Sequence, residues 1–456
     1  MVDIDTLIQI AKDIGPVVFM VIINMCLWPL TRWVLPKIKS RTIQAYFHVI
    51  LGSILCLILF YSQAFVPVFF AVSSYFIIDY NTKFACFYAA LFNTLTNLFY
   101  KFKAPDAWEF EVTCIIMVQM QRVIATSINL YNYQHPSKRE FYQRLALKEK
   151  PSFLNWMAYM LTPMGGSSGP IVEFKLFDYI LNIGNRKPIS ADSLSRQLAR
   201  RRWFEGIFWS AFNFVFMQYV QISFYSQEFY IKSPAFIKLI FMLLCTCAQA
   251  CRYFPAWNPV EAALYEVGLA ESDLVEDIYD ISNMTIVDLL SSPSVGIWLQ
   301  RWNHSSHIFF KRYLFYPLLD NGYGYNIAHH SVFVASALWH GFEPVYFLVL
   351  PEMLCSTVAD STMLRYIPYN KMPTWMKGLY HFWVILSMFN TTSTWWYRSK
   401  YAFFFVRKSN NYIGTIIIFT VFVAGELLKL VKKPPPKVRN IKKDDEKAKE
   451  EKEKKE

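Results

Sequence analysis

Residues 331–350 read SVFVASALWHGFEPVYFLVL. The run up to Trp339 carries no charge, and the whole stretch has the length of a bilayer crossing, which takes about 20 mainly apolar residues. His340 stands inside it, followed by Gly341, Glu343 and Pro344. Ionisable groups at membrane depth are costly and mark a function or a paired partner. Whether this stretch is a membrane helix or the core of a soluble domain decides the fold.

Working outward, apolar runs recur at residues 15–35, 45–61, 62–80, 84–100, 111–131, 203–225, 234–254, 325–340, 342–357, 375–389 and 411–430, the second and third nearly continuous. On length this predicts about ten to eleven membrane segments. Hydrophobic residues make up 54%, aromatics 18% and charged residues 18% of the 456, and mean hydropathy is +0.22. Soluble domains carry about 25% charge, and 40 Phe with 28 Tyr exceed what a soluble fold of this size buries easily. The fold class is therefore an all-α polytopic membrane protein. No internal repeat is present, which disfavours an inverted-repeat transporter. Residues 151–170 are broken by Pro163, Gly165, Gly166, Gly169 and Pro170, and predict a re-entrant or interfacial segment.

The net charge of +12 gathers at residues 32–41, 135–150 and 186–202 and in the tail. These clusters flank apolar runs, which is the pattern of cytoplasmic loops meeting anionic lipid rather than of nucleic-acid binding. Placing 32–41 in the cytosol puts the N-terminus in the lumen and returns 132–150 to the cytosol. Residues 1–431 form one membrane domain. Residues 432–456 are Lys/Glu-rich, hold nothing to build a core, and predict a disordered cytoplasmic tail. The tail ends KEKKE, and Lys452 and Lys454 fit a dilysine-type retrieval signal of the endoplasmic reticulum membrane. The N-terminus is acidic and leads into a span-length run, unlike a signal peptide. The eight cysteines form no readable disulfide framework; Cys245, Cys247 and Cys251 lie in an apolar run as small apolar residues.

Three places carry residues suited to chemistry. A low dielectric favours neutral imidazole, so His340 suits a general base as well as a hydrogen bond to a neighbouring helix. Glu343 reaches its ring only if the helix continues through Gly341. Asn303, after Trp302, suits holding a carbonyl, a hydroxyl or the base, and equally suits a helix N-cap. His304 and His307 share a helical face and His329–His330 lie near, yet no carboxylate or cysteine completes a zinc set, so no metal is assigned. GGSSGPIVEFKLFDYIL, residues 165–181, combines glycines that permit close backbone approach with Glu173. Without a closing Gly-Lys-Ser/Thr it is not a P-loop, and a tight turn is favoured over a phosphate cradle.

The order of GPIVEFKLFDYI, RYFPAWNPVEAALYEVGL, RWNHSSHIFFKRYLFYP and SALWHGFEPVYF resembles the membrane-bound O-acyltransferase (MBOAT) family, specifically its lysophospholipid acyltransferase branch, over residues 148–350. Trp339-His340-Gly341 is the most specific element and Trp302-Asn303 the next; Gly169-Pro170 and residues 257–261 support them. Phe309 stands where the family usually has Trp, and Val345 where it usually has Gly. The resemblance implies a helical core of membrane and re-entrant segments around a central tunnel. It implies acyl transfer from acyl-CoA, a co-substrate with no further cofactor, to the free hydroxyl of a lysophospholipid. His340 would be the base and Asn303 would steady the acyl carbonyl or the acceptor. Trp302, Trp339, Glu173, Lys311, Arg312 and Tyr313 would contact substrate, with Lys311 and Arg312 on the CoA phosphates. A family member acylating a secreted protein or peptide would show the same His and Asn. A transporter would spread charges through several spans at mid-depth, and these are scarce. A sterol or diacylglycerol enzyme of the wider superfamily would show a Phe-Tyr-x-Asp-Trp-Trp-Asn-type motif, which is not present.

Overall fold

The computed structural model describes residues 4–103, 112–166, 169–397 and 400–432. The expected tail, from residue 433 on, lies outside the described residues. Helices follow one another throughout, and no strand occurs among the described residues. The first five are α1 (Ile4–Trp33), α2 (Arg41–Phe60), α3 (Phe65–Tyr80), α4 (Thr82–Lys103) and α5 (Thr113–Gln134). Then come the short α6 (Phe153–Leu161), α7 (Leu194–Phe216), α8 (Ala235–Ala250) and α9 (Phe254–Glu266). The short α10 (Val295–Arg301) and α11 (His304–Phe310) lead to α12 (Tyr325–His340), α13 (Pro344–Tyr366), α14 (Thr374–Thr392), α15 (Lys400–Ser409) and α16 (Ile413–Val431).

The chain is a multi-pass membrane protein. Among the described residues, five helical stretches are long and apolar enough to cross a bilayer: Val18–Lys37, Arg41–Tyr80, Ala235–Glu266, Pro344–Tyr366 and Ile413–Val431. Other long helices, such as α4, α5 and α7, carry more polar residues. On α2, Ile43, Tyr46, Ile50, Ile54 and Leu57 form one exposed stripe at helical spacing. Such a stripe suits lipid and not water. The opposite face packs inward, and at Gly52 a Cβ would stand 1.8 Å from the carbonyl oxygen of Leu161, so only glycine permits this approach of α2 to the end of α6.

Two segments differ from the apolar-length reading. The run at 203–225 belongs to a helix that starts earlier, at Leu194, and stops at Phe216. The Ser193 hydroxyl caps its start by accepting from Arg196 N–H at 3.2 Å, and Leu, Arg, Gln and Ala are good helix formers whatever their polarity. The run at 234–254 is followed by α9, whose every residue is buried, Asn258 and Glu261 included. Its glutamate is tolerated because Arg202 of α7 pairs with it at 3.0 Å. A buried charge needs such a partner.

The broken segment lies inside the protein. Residues 156–166 are all buried, which is the condition under which irregular backbone survives at membrane depth. The break falls at Met164 and Gly165, the latter at φ +77°. Arg122 of α5, fully buried, pins it by donating to the carbonyls of Tyr159 and of Met164, the latter at 3.1 Å. The glycines thus make a tight turn held by α5.

Candidate active site

His340 is the last residue of α12. The helix ends there because Gly341 takes φ +112°, a conformation that favours glycine, and Pro344 begins the next helix. Three side chains of α4, one turn apart, hold the corner. Asn93 donates to the Trp339 carbonyl at 3.3 Å, Asn97 fills the space a Cβ of Gly341 would take (2.9 Å to its Oδ1), and Lys101 pairs with Glu343 at 2.6 Å. Glu343 therefore faces α4, and it does not orient the imidazole through a continuous helix, because the helix stops before it. From α5, the Met117 carbonyl accepts the indole N–H of Trp339 at 3.1 Å.

The half-buried imidazole packs among aromatic rings: Trp339 at 4.6 Å between centroids, Tyr346 at 5.0 Å and Trp395 at 5.8 Å. Trp395 continues to Trp302, 6.4 Å away. It therefore joins the two motifs that the sequence sets far apart, His340 and Trp302-Asn303. Trp302 is fixed by stacking on Trp298, 5.5 Å apart with 4° between planes. Trp395 follows Ser393, whose hydroxyl accepts from Arg407 at 2.7 Å; the same guanidinium binds Glu352 of α13 at 2.7 Å.

Asn303 occupies the N-cap position of α11 but makes no side-chain cap hydrogen bond; its backbone is left-handed, φ 45° and ψ 54°. Asn tolerates that region better than most residues. The capping role is thus not what its side chain does. The turn is held from behind: the Asn283 carbonyl accepts the His304 N–H at 2.8 Å, and the Asn283 N–H donates to buried Glu261 at 2.7 Å. The Arg202–Glu261 pair of the supporting motif therefore sets the position of Asn303 from a distance.

The remaining predicted residues separate into two places. Glu173, Arg312 and Tyr313 form one buried network: Arg312 reaches Glu173 at 3.1 Å, Asp280 at 3.1 Å and Glu276 at 3.3 Å. The Tyr313 hydroxyl donates to Glu173 at 2.5 Å, and Asn129 donates to the same oxygen at 2.8 Å. Lys311 stands apart, half-buried, its ammonium 5.7 Å from the Tyr316 ring centroid. Adjacent residues on a helix point about 100° apart, so the two cations do not share a face, and Arg312 is spent on carboxylates of the chain itself. Among the described residues no three His, Cys, Asp or Glu side chains are grouped to hold a metal ion.

Sequence reasoning missed Asn93, Asn97, Lys101 and Trp395. The first three had a signal, polar residues at every fourth position along one face of α4; Trp395 had none beyond its residue type. The Lys101–Glu343 pair is testable. Lys101→Glu is expected to lower the rate of the candidate reaction about tenfold or more by loosening the His340 corner, since small misplacements of catalytic groups cost up to about 10²-fold. Lys101→Glu with Glu343→Lys should restore most of it, as read by initial rates in membranes at matched protein level.

The fold and site define a class: a helical membrane protein in which aromatic rings link His340, through Trp395, to Trp302 beside Asn303. Residues 73–399 match MBOAT, the membrane-bound O-acyltransferase family, and the chain belongs to that family. A "Lysophospholipid acyltransferase" of Schizosaccharomyces pombe is 20% identical over 58% of this chain and 54% of its own length. "Membrane-bound glycerophospholipid O-acyltransferase 1" of Homo sapiens is 24% identical over 52% of this chain and 50% of its own. "Lysophospholipid acyltransferase 6" of Drosophila melanogaster is 22% identical over 60% and 40%. The chain spans about half the length of these relatives, or less.

Proposed function

We propose that this protein transfers a fatty acyl chain from acyl-CoA to the free hydroxyl of a lysophospholipid. The observation that supports the reading is the ring of Trp395, which lies against both His340 and Trp302, the residue before Asn303. In this reading His340 takes the hydroxyl proton as the oxygen adds to the thioester carbon. Asn303 donates to the carbonyl oxygen as it gains charge. When the C–S bond breaks, the proton returns from His340 to the leaving CoA sulfur. No acyl-enzyme is required. Trp302 and Trp339 wall the centre. Lys311 is the cation proposed for the CoA phosphates, while Glu173, Arg312 and Tyr313 brace the wall behind them. The reading puts the protein in the endoplasmic reticulum membrane with residues 432–456 in the cytosol, the side on which the basic loops are expected.

The test is a panel of lysophospholipids of different head groups, each with several acyl-CoAs, on membranes containing the protein. Release of CoA with formation of a diacyl phospholipid is the expected result. Silence on every lysolipid, with acyl transfer to a peptide acceptor instead, would overturn the acceptor class.

A further inference from the structure

Trp395 has an unusual combination of contacts. Among the described residues its ring lies against those of His340 at 5.8 Å, Tyr346 at 6.0 Å and Trp302 at 6.4 Å. Its indole N–H is shut off from solvent and has no acceptor. Such a donor, buried without a partner, costs stability, and sites where it persists call for an explanation. Trp298 and Trp383 also bury an N–H without an acceptor, but among the described ring contacts neither lies against His340. The strand of chain carrying Trp395 is not loosely placed: Arg407 fixes Ser393, two residues before it, and is itself tied to Glu352.

We propose that Trp395 is a further catalytic residue, its indole N–H donating to the acyl carbonyl oxygen beside His340. The proposal rests on the acyl-transfer reading above. As the acceptor hydroxyl oxygen bonds to the thioester carbon, its proton passes to His340 and the carbonyl π pair moves onto oxygen. That oxygen then accepts from Trp395 as well as from Asn303. Collapse re-forms the carbonyl and breaks the C–S bond, and the leaving sulfur takes the proton held by His340. A fixed donor enclosed by rings suits this task, because it needs no reorganisation when the charge appears and meets little competition from water. The unmet N–H of the resting protein is then the donor that the transition state satisfies.

The experiment removes the N–H and keeps the ring. Trp395→Phe and a benzothienylalanine replacement at position 395, which has sulfur in place of the indole nitrogen, are assayed for acyl transfer and for thermal stability in detergent. The expected result is a fall in kcat of about 10²-fold, the usual effect of losing one such donor, with KM for acyl-CoA and the melting temperature near those of the unmodified protein. The sulfur isostere keeps both fused rings, so it decides the matter if Trp395→Phe does not fold. An isostere with unchanged kcat overturns the role of Trp395 and leaves the acyl-transfer reading intact. An unmodified protein inactive on every acceptor overturns that reading instead.

Discussion

His340→Ala is expected to lower acyl transfer by about 10²–10⁴-fold, the range associated with losing a positioned general base, while the protein still accumulates and melts near the temperature of the parent. The second half follows from where the residue sits. His340 is half-buried at the end of α12, and the corner it occupies is held by other groups: the Trp339 carbonyl and indole, Gly341 against Asn97, and Glu343 on Lys101. Removing the imidazole leaves each of these in place. CoA release and lipid product measured on matched membranes decide it; a variant that keeps the parent rate removes His340 as the base. Asn303→Ala should show a smaller loss of rate with a modest loss of stability, which comes from the left-handed backbone that alanine tolerates less well than asparagine and not from a lost cap hydrogen bond.

Arg312→Met is expected to do the opposite, acting on stability and not on substrate affinity. The guanidinium is 6% exposed and compensates Glu173 and Asp280, which are nearly as buried, with the more exposed Glu276 at its edge. In the variant Glu173 and Asp280 lose their guanidinium, while Glu276 keeps Arg144 at 2.8 Å. Taking away one partner of a buried charge cluster typically costs about 3–5 kcal/mol. That is a large part of the stability of a typical domain. The variant should fail to accumulate or melt well below the parent. Lys311→Ala, one residue away, should leave the melting temperature unchanged and raise KM for acyl-CoA. An Arg312→Met protein of normal stability and raised KM would return Arg312 to the phosphates.

Much of this was legible in the chain. Low charge, recurring span-length apolar runs and basic flanks give an all-helical membrane protein, because a bilayer excludes any backbone that does not pair its own hydrogen bonds. The Trp339-His340-Gly341 motif marked a candidate residue, since a polar group in an apolar run carries a cost that local structure does not explain, and Trp302-Asn303 was marked by its resemblance to the family. The helix break at Met164 and Gly165 followed from the glycines and prolines around it.

The partners of those residues were not legible. Composition cannot say that Arg312 turns inward to Glu173 while Lys311 does not, because that depends on which face of the turn meets Asp280 and Asn129 across the fold. Whether Glu343 reaches the imidazole hung on the helix continuing through Gly341; the backbone turns there and sends it to Lys101. Arg202 and Glu261 are separated along the chain, yet together they fix Asn283 and through it the turn at Asn303. Trp395 lies beyond every motif and still touches both halves of the site. Sequence by itself determined the solvent and the helical class and named the candidate residues, because these follow from local chemistry and its cost in lipid. Only the tertiary structure decided which groups compensate each buried charge and which ring joins His340 to Trp302, because those depend on contacts between segments far apart in the chain.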